Sequence, residues 1–245
     1  MTWKLRVPRI PRGAARRVLL WAGVVMLVMV VWMTAPLMLR RLAFFRVRQV
    51  ELVGIRYLDA DHVLTALQLS PRQSVFDDTD VLAARLRRMD GIADASVTRR
   101  PPGVLKVIVR EVEPVALEMS ARGALAPVDA DGRTLPFDLS SLDLPVVAGG
   151  ADSGLFGVLA RVQAFDPALY QSIDAARQTD AQHDVLLELG SHRVLLARDA
   201  GPEVIEAVAL VARDLAAKSR AYVELDARYA GQIVVRRKSA RGMSA

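Results

Sequence analysis

Residues 92–116 read IADASVTRRPPGVLKVIVREVEPVA. In the second half of this stretch Leu105, Val107 and Val109 alternate with Lys106, Ile108 and Arg110. A period of two predicts a strand with one face on a core and the other in water. The first half predicts a strand over residues 93–99, and Arg100-Pro101-Pro102-Gly103 supplies the turn between the two. The segment is therefore expected to be a β-hairpin, and its neighbours decide what it packs against.

Upstream, Asp78 and Asp80 suit the positive end of a helix, and Arg85, Arg87 and Arg88 its negative end. Leu82, Leu86 and Met89 recur at helical spacing as a buried stripe, and Gly91 is expected to close the helix. A shorter helix precedes it, capped by Asp59 or Asp61, with Val63, Leu64 and Leu67 on one face. A turn is expected at Ser70-Pro71. Before that, residues 45–54 read as a strand ending at Gly54. Its alternation changes phase between Val47 and Val50, as a bulge would cause. The order over residues 44–117 is strand, helix, helix, strand, strand.

Downstream, residues 118–237 predict a mainly antiparallel β domain with inserted helices. Asp129-Ala-Asp-Gly132 is a tight turn, and residues 144–149 form a strand and turn. Residues 154–176 look helical, with Leu155, Val158, Leu159 and Val162 in register. Residues 185–189 and 193–197 form a hairpin about Gly190-Ser191. Pro202 opens an amphipathic helix carrying Val204, Ile205, Val208, Val211, Ala212 and Leu215. Residues 222–228 and 231–236 close the domain as strands, and residues 238–245 are expected to be disordered.

Near the N-terminus, residues 18–39 read VLLWAGVVMLVMVVWMTAPLML and hold no charge. As a helix rising about 1.5 Å per residue this run reaches about 33 Å, enough for a hydrocarbon core of about 30 Å. Its anchoring residues are Val18, Leu19, Leu20, Trp21, Val24, Val25, Leu27, Val28, Val30, Val31, Trp32, Leu37 and Leu39. The run is too long for a signal peptide, and Met33-Thr34-Ala35 is a poor cleavage site. A buried core helix of this length would carry more polar residues. Residues 1–17 form a basic arm with Lys4, Arg6, Arg9, Arg12, Arg16 and Arg17. The positive-inside rule holds that arm in the cytoplasm and sends the rest across the inner membrane as a single-pass type II protein. Arg40, Arg41, Arg46 and Arg48 follow on the outer side and weaken the bias without reversing it.

The formal net charge is +6. The arm contributes six positive charges, and the tail from Arg236 adds Arg237, Lys238 and Arg241 for four in all. The part between is mildly acidic, which argues against a nucleic-acid groove. No cysteine is present, which excludes a disulfide, a thiolate metal site and a Cys nucleophile. His62, His183 and His192 are scattered without metal spacing. No nucleophile elbow, zinc-protease helix or phosphate loop occurs. Asp129-x-Asp131-Gly132 resembles the start of a calcium loop, but the later acids are missing, so a β-turn is the better reading. No enzyme, metal or other cofactor is expected.

These motifs resemble the bacterial cell-division FtsQ/DivIB family. The resemblance rests on residues 45–54, on residues 92–116 with Val112 and Glu113 departing slightly from the family pattern, on Val128-Asp-Ala-Asp-Gly-Arg-Thr-Leu135 with residues 144–149, and on VELDARYAGQIVVR at residues 223–236. It implies an α+β fold: one transmembrane helix, a POTRA domain over 44–117 and an FtsQ-type β domain over 118–237. It implies a non-enzymatic scaffold at the division septum that binds FtsB/FtsL-like proteins and helps control septal peptidoglycan synthesis. FtsK-like proteins and septal synthases are further partners. The resemblance places the partner strand at Tyr229, Gly231, Gln232, Ile233, Val234 and Val235, with Arg236 and Arg237 beside it. On the POTRA side the edge of the first strand, Val50, Glu51 and Leu52, is the candidate. POTRA units also occur in envelope secretion and assembly factors; that alternative normally brings a membrane barrel, for which no strand array is present.

Overall fold

The computed structural model describes residues 12–179, 184–229 and 231–237. The hairpin read first forms most of a three-stranded sheet. Its strands are β1 (Gln49–Val53), β2 (Ile92–Arg100) and β3 (Val104–Glu111). β3 is central, parallel to β1 and antiparallel to β2. Leu105, Val107 and Val109 are buried, as the alternation requires. They pack with Ala95 and Val97 of β2 against two helices, α2 (Ala60–Leu67) and α3 (Thr79–Leu86). Asp59 caps α2 by accepting from the Asp61 amide, and Asp78 caps α3 through the Asp80 amide.

Two local expectations change. The phase shift ahead of β1 is a change of partner, not a bulge. A 3-10 turn at Ala43–Phe45 leads to a segment bonded to residues 73–75, and the chain then crosses to Gly103. The register irregularity sits in β2, between Ile92 and Asp94. Second, α3 ends at Leu86, before Gly91; a run of turns follows, and Gly91 at φ +86° reverses the chain into β2.

The second sheet has eight strands: β4 (Ala116–Met119), β5 (Leu125–Val128), β6 (Val146–Ala148), β7 (Ala175–Gln178), β8 (Val185–Leu189), β9 (His192–Leu196), β10 (Glu224–Asp226) and β11 (Val234–Arg236). Their spatial order is β11-β10-β9-β8-β7-β6-β4-β5. The sheet is mixed: four of its seven pairs are antiparallel, while β4–β6, β6–β7 and β9–β10 are parallel. The inserted helices are the reason, because a parallel pair needs a long crossover. α4 (Ser153–Phe165) and α5 (Pro167–Gln171) carry the chain from β6 to β7, and α6 (Pro202–Ala217) from β9 to β10. The single helix expected over 154–176 breaks at Asp166, which caps α5, and its last residues become β7. Leu155, Val158, Leu159 and Val162 of α4 and Ile205 and Val208 of α6 are buried against Val185, Leu187, Val194 and Leu196.

The chain after β5 returns to the first core. Leu135 and Phe137, which follow β5, are buried in the core of the first unit, and Phe137 packs 5.3 Å from Tyr57. Tyr57 also donates to Glu113 at 3.0 Å. Beyond this, Tyr170 of α5 donates to the Val115 carbonyl at 2.9 Å, fixing the chain as it enters the second sheet. Burial raises the Tyr170 pKa above its ordinary value, which keeps the phenol a donor.

The N-terminal helix α1 runs from Arg12 to Arg41. Its described side chains from residue 19 to 34 are all exposed, with Trp21 70% and Trp32 83% accessible. That stretch rises about 24 Å. Among the described residues no helix is long and apolar enough to cross a membrane. Residues 1–11 and 238–245 lie outside the described residues, as do the side chains of Val18, Leu37 and Leu39.

Candidate functional site: the terminal edge of the large sheet

The last two strands leave α6 and finish the sheet. β10 pairs in parallel with β9, and β11 pairs antiparallel with β10, Leu225 opposite Val235. Among the described residues β11 has no partner on its outer side, so a row of backbone groups faces away from the sheet. The strand predicted over 231–236 is shorter, because Gly231 at φ +72° and a Tyr229–Gln232 turn occupy its start.

Each candidate side chain has a definite place. Ile233 and Val235 pack on the core and hold the strand down. Val234, between them, is 42% exposed, and Tyr229 is 54% exposed. Gly231, Gln232, Arg236 and Arg237 are exposed. Arg236 pairs with Glu224 across the ladder at 3.0 Å. Tyr229, Gln232 and Ile233 also line a groove of about 370 Å³ against Glu203, Val204, Ala207 and Val211 of α6. The expected residues thus form one continuous surface: an open strand edge beside an apolar groove.

What holds that surface is a clamp. Arg228 grips Asp226 with two bonds, Nε to Oδ1 at 2.9 Å and Nη2 to Oδ2 at 2.7 Å. Its Nη1 reaches Asp184, ahead of β8, at 3.1 Å. Asp226 is 1% and Asp184 5% exposed. Buried carboxylates need such partners, and a bidentate guanidinium is the strongest available. The Arg228 bonds hold the Asp226 carboxyl below the usual carboxylate range, and the two aspartates raise the Arg228 pKa in turn. Arg228 is one residue from Tyr229, so the clamp sets where the surface begins. Sequence reading passed over it. Asp226-x-Arg228 has the two-residue spacing of one strand face and is a usable signal, but Asp184 is distant in sequence.

The other candidates do not gather into a site. His62 is exposed on α2. His192 stacks on Tyr222 at 4.3 Å, with Nδ1 2.9 Å from the Tyr222 carbonyl oxygen. His183 lies outside the described residues. Asp129 accepts from the amides of Asp131 and Arg133, so its carboxylate closes a turn. Among the described residues no group of metal-binding side chains occurs. Val50, Glu51 and Leu52 lie on β1, an edge of the small sheet, each half-buried.

Residues 45–111 match the POTRA domain, FtsQ-type. The cell division protein FtsQ of Rhodothermus marinus is 32% identical over 59% of this chain and 53% of its own length. That of Paracoccus denitrificans is 32% identical over 57% and 42%. That of an Anaeromyxobacter strain is 38% identical over 42% and 36%. The chain spans about half the length of the curated relatives it matches, or less. Residues 45–111 build the small sheet and its two helices, so that unit matches a POTRA domain of the FtsQ type, and the chain is similar over about half its length to proteins named cell division protein FtsQ.

Proposed function

We propose that this chain is a membrane-anchored, non-enzymatic scaffold of bacterial cell division. It binds FtsB/FtsL-like proteins at the septum through its terminal strand, and so helps control septal peptidoglycan synthesis. The observation that carries the reading is the β11 edge, unpaired among the described residues, in a chain whose relatives are named cell division protein FtsQ. Strand addition suits such an edge: backbone hydrogen bonds supply affinity, and the groove beside α6 offers side-chain pockets. Arg236 and Arg237 favour an acidic partner segment. FtsK-like proteins and septal synthases are further partners in this reading.

The membrane span is part of the proposal. Residues 18–39 carry no charge, and the described side chains of α1 from residue 19 to 34 expose an apolar surface that water would not tolerate. The basic arm then stays in the cytoplasm and both sheets lie outside the membrane.

A pull-down of the detergent-solubilised full chain by the exported parts of FtsB- and FtsL-like proteins tests this, beside a version stopping at Arg228. Capture by the full chain and not by the truncation supports the reading. Equal capture moves the interface away from β11. No capture by either, with both folded by circular dichroism, rejects it. Reversing Arg236 and Arg237 to glutamate should weaken capture if the partner segment is acidic.

A further inference from the structure

Arg40, Arg41, Arg46 and Arg48 follow the apolar run on the side where the positive-inside rule expects few cations. The fold adds to them. Gly103 accepts from the Arg48 and Gln49 amides at 2.8 and 3.2 Å, so the turn between β2 and β3 sits beside the start of β1. Gln49 and Arg100 both lie opposite Val104, at one end of the sheet. Arg46 bridges to Ser74, and Val47 donates to Gln73, which brings the loop carrying Arg72 to the same end. Arg99 reaches the Asp77 carbonyl at 3.2 Å. Arg46, Arg48, Arg72, Arg99 and Arg100 are all exposed.

Nearby acids offset part of this charge. Glu51 is paired with Arg100 at 3.0 Å, and Asp77, which accepts from the Ser74 amide at 2.9 Å, lines one groove with Arg72 and Asp78. Asp78 caps α3. The arginine end is also the end that meets α1. Residues 42–48 join helix to sheet, and even fully extended they would reach only about 25 Å. They are far from extended: the 3-10 turn lies among them, and Arg48 donates back to the Phe44 carbonyl at 3.3 Å. Leu42 and Phe44 are 51% and 58% exposed, and the Arg48 guanidinium lies 5.8 Å from the Phe44 ring centre. Apolar rings flanked by cations at a helix end suit a membrane interface.

We infer that this end of the POTRA unit docks on anionic phospholipid headgroups of the membrane that α1 enters. The inference rests on the proposed span of α1. Arginines held within one Debye length of an anionic headgroup layer are attracted to it, and salt weakens the attraction. The misplaced arginines are then a second contact that lays the unit against the bilayer and sets the orientation of the large sheet beyond it.

The chain has no cysteine, so Gln49→Cys carries a single fluorophore. The full chain is placed in discoidal bilayers of phosphatidylcholine, with or without phosphatidylglycerol. Iodide quenching of the label reads whether the arginine end is covered. Quenching of Trp21 and Trp32 by brominated acyl chains reads the span separately. The expected result is quenching by iodide about two-fold lower with phosphatidylglycerol, lost at high salt. The difference should vanish when Arg46, Arg48, Arg72 and Arg99 become glutamine and persist when they become lysine. Circular dichroism confirms that each variant folds. Equal iodide quenching in both lipids, with the tryptophans quenched, overturns the docking and leaves the span standing. Unquenched tryptophans overturn the span and the docking with it. A difference that survives the glutamine variant assigns the effect elsewhere and also overturns the inference.

Discussion

The large sheet ends differently on its two sides. At the β5 edge the chain covers itself. Pro127 sits in that strand and has no N–H to offer. Leu135 donates to the Pro127 carbonyl at 2.8 Å, and Thr134 bridges to Val128. The covering loop is then pinned by Phe137, buried beside Tyr57 in the other core. At the β11 edge nothing among the described residues lies outside the strand. It is short, charged at its end, and clamped from below by Arg228. Edges are hazards that a protein blunts unless they are used. One edge here is sealed with a proline, a turn and an aromatic plug, while the other is rigidified and left open.

That contrast can be broken most forcefully at Phe137. Phe137→Ala removes a buried ring at the junction of the two units and should lower stability by about 3–4 kcal/mol in urea denaturation. Hydrogen exchange should accelerate at β5 and leave β11 unchanged. A loss below about 1 kcal/mol would mean the loop is held by other contacts.

Next is the clamp. Arg228→Ala leaves Asp184 and Asp226 buried without their cation and should cost about 3 kcal/mol near neutral pH. The sign with pH follows from Asp226, whose native pKa is depressed chiefly by its Arg228 hydrogen bonds. Such a group stabilises the native state above its unfolded pKa of about 3.9, and the contribution fades as pH falls through the lower native value. The gap between parent and Arg228→Ala should therefore narrow below about pH 4. A gap that stays constant down to pH 2 would place the Arg228 contribution in packing instead of charge.

The small sheet was legible because its signals are local: period-two alternation in β3, aspartate caps on α2 and α3, and glycines at Gly54, Gly91 and Gly103. The large sheet was legible as elements and not as a topology. Val185 to Leu196 declared a hairpin, and the helix between β9 and β10 allowed a parallel crossover, but which strands would be neighbours was not encoded locally. The helix read over 154–176 ran too far because Ala175 and Ala176 are compatible with either state, and β7 is decided by pairing with β6 and β8. The edge residues were legible only through resemblance. The clamp beneath them depends on Asp184 meeting Arg228 across 44 positions, which no local pattern encodes.

A milder loss is expected at Tyr170. Tyr170→Phe deletes a buried hydrogen bond to the Val115 carbonyl and should cost about 1 kcal/mol, since that oxygen is left without its donor. It should weaken the entry to β4 and leave both edges as they are.

The smallest effect on stability should come from Val234→Lys, and it separates the two edges most cleanly. Val234 points away from the core that Ile233 and Val235 contact, so the change should stay within about 0.5 kcal/mol of the parent. A lysine on an open edge opposes an incoming strand. If β11 is the docking edge, this nearly silent substitution should abolish capture by the FtsB-like partner. The matching change at the sealed edge, Leu125→Lys at a site 36% exposed, should not. Loss of capture in both variants would mean the charge acts at a distance. Loss in the β5 variant alone would exchange the roles of the two edges.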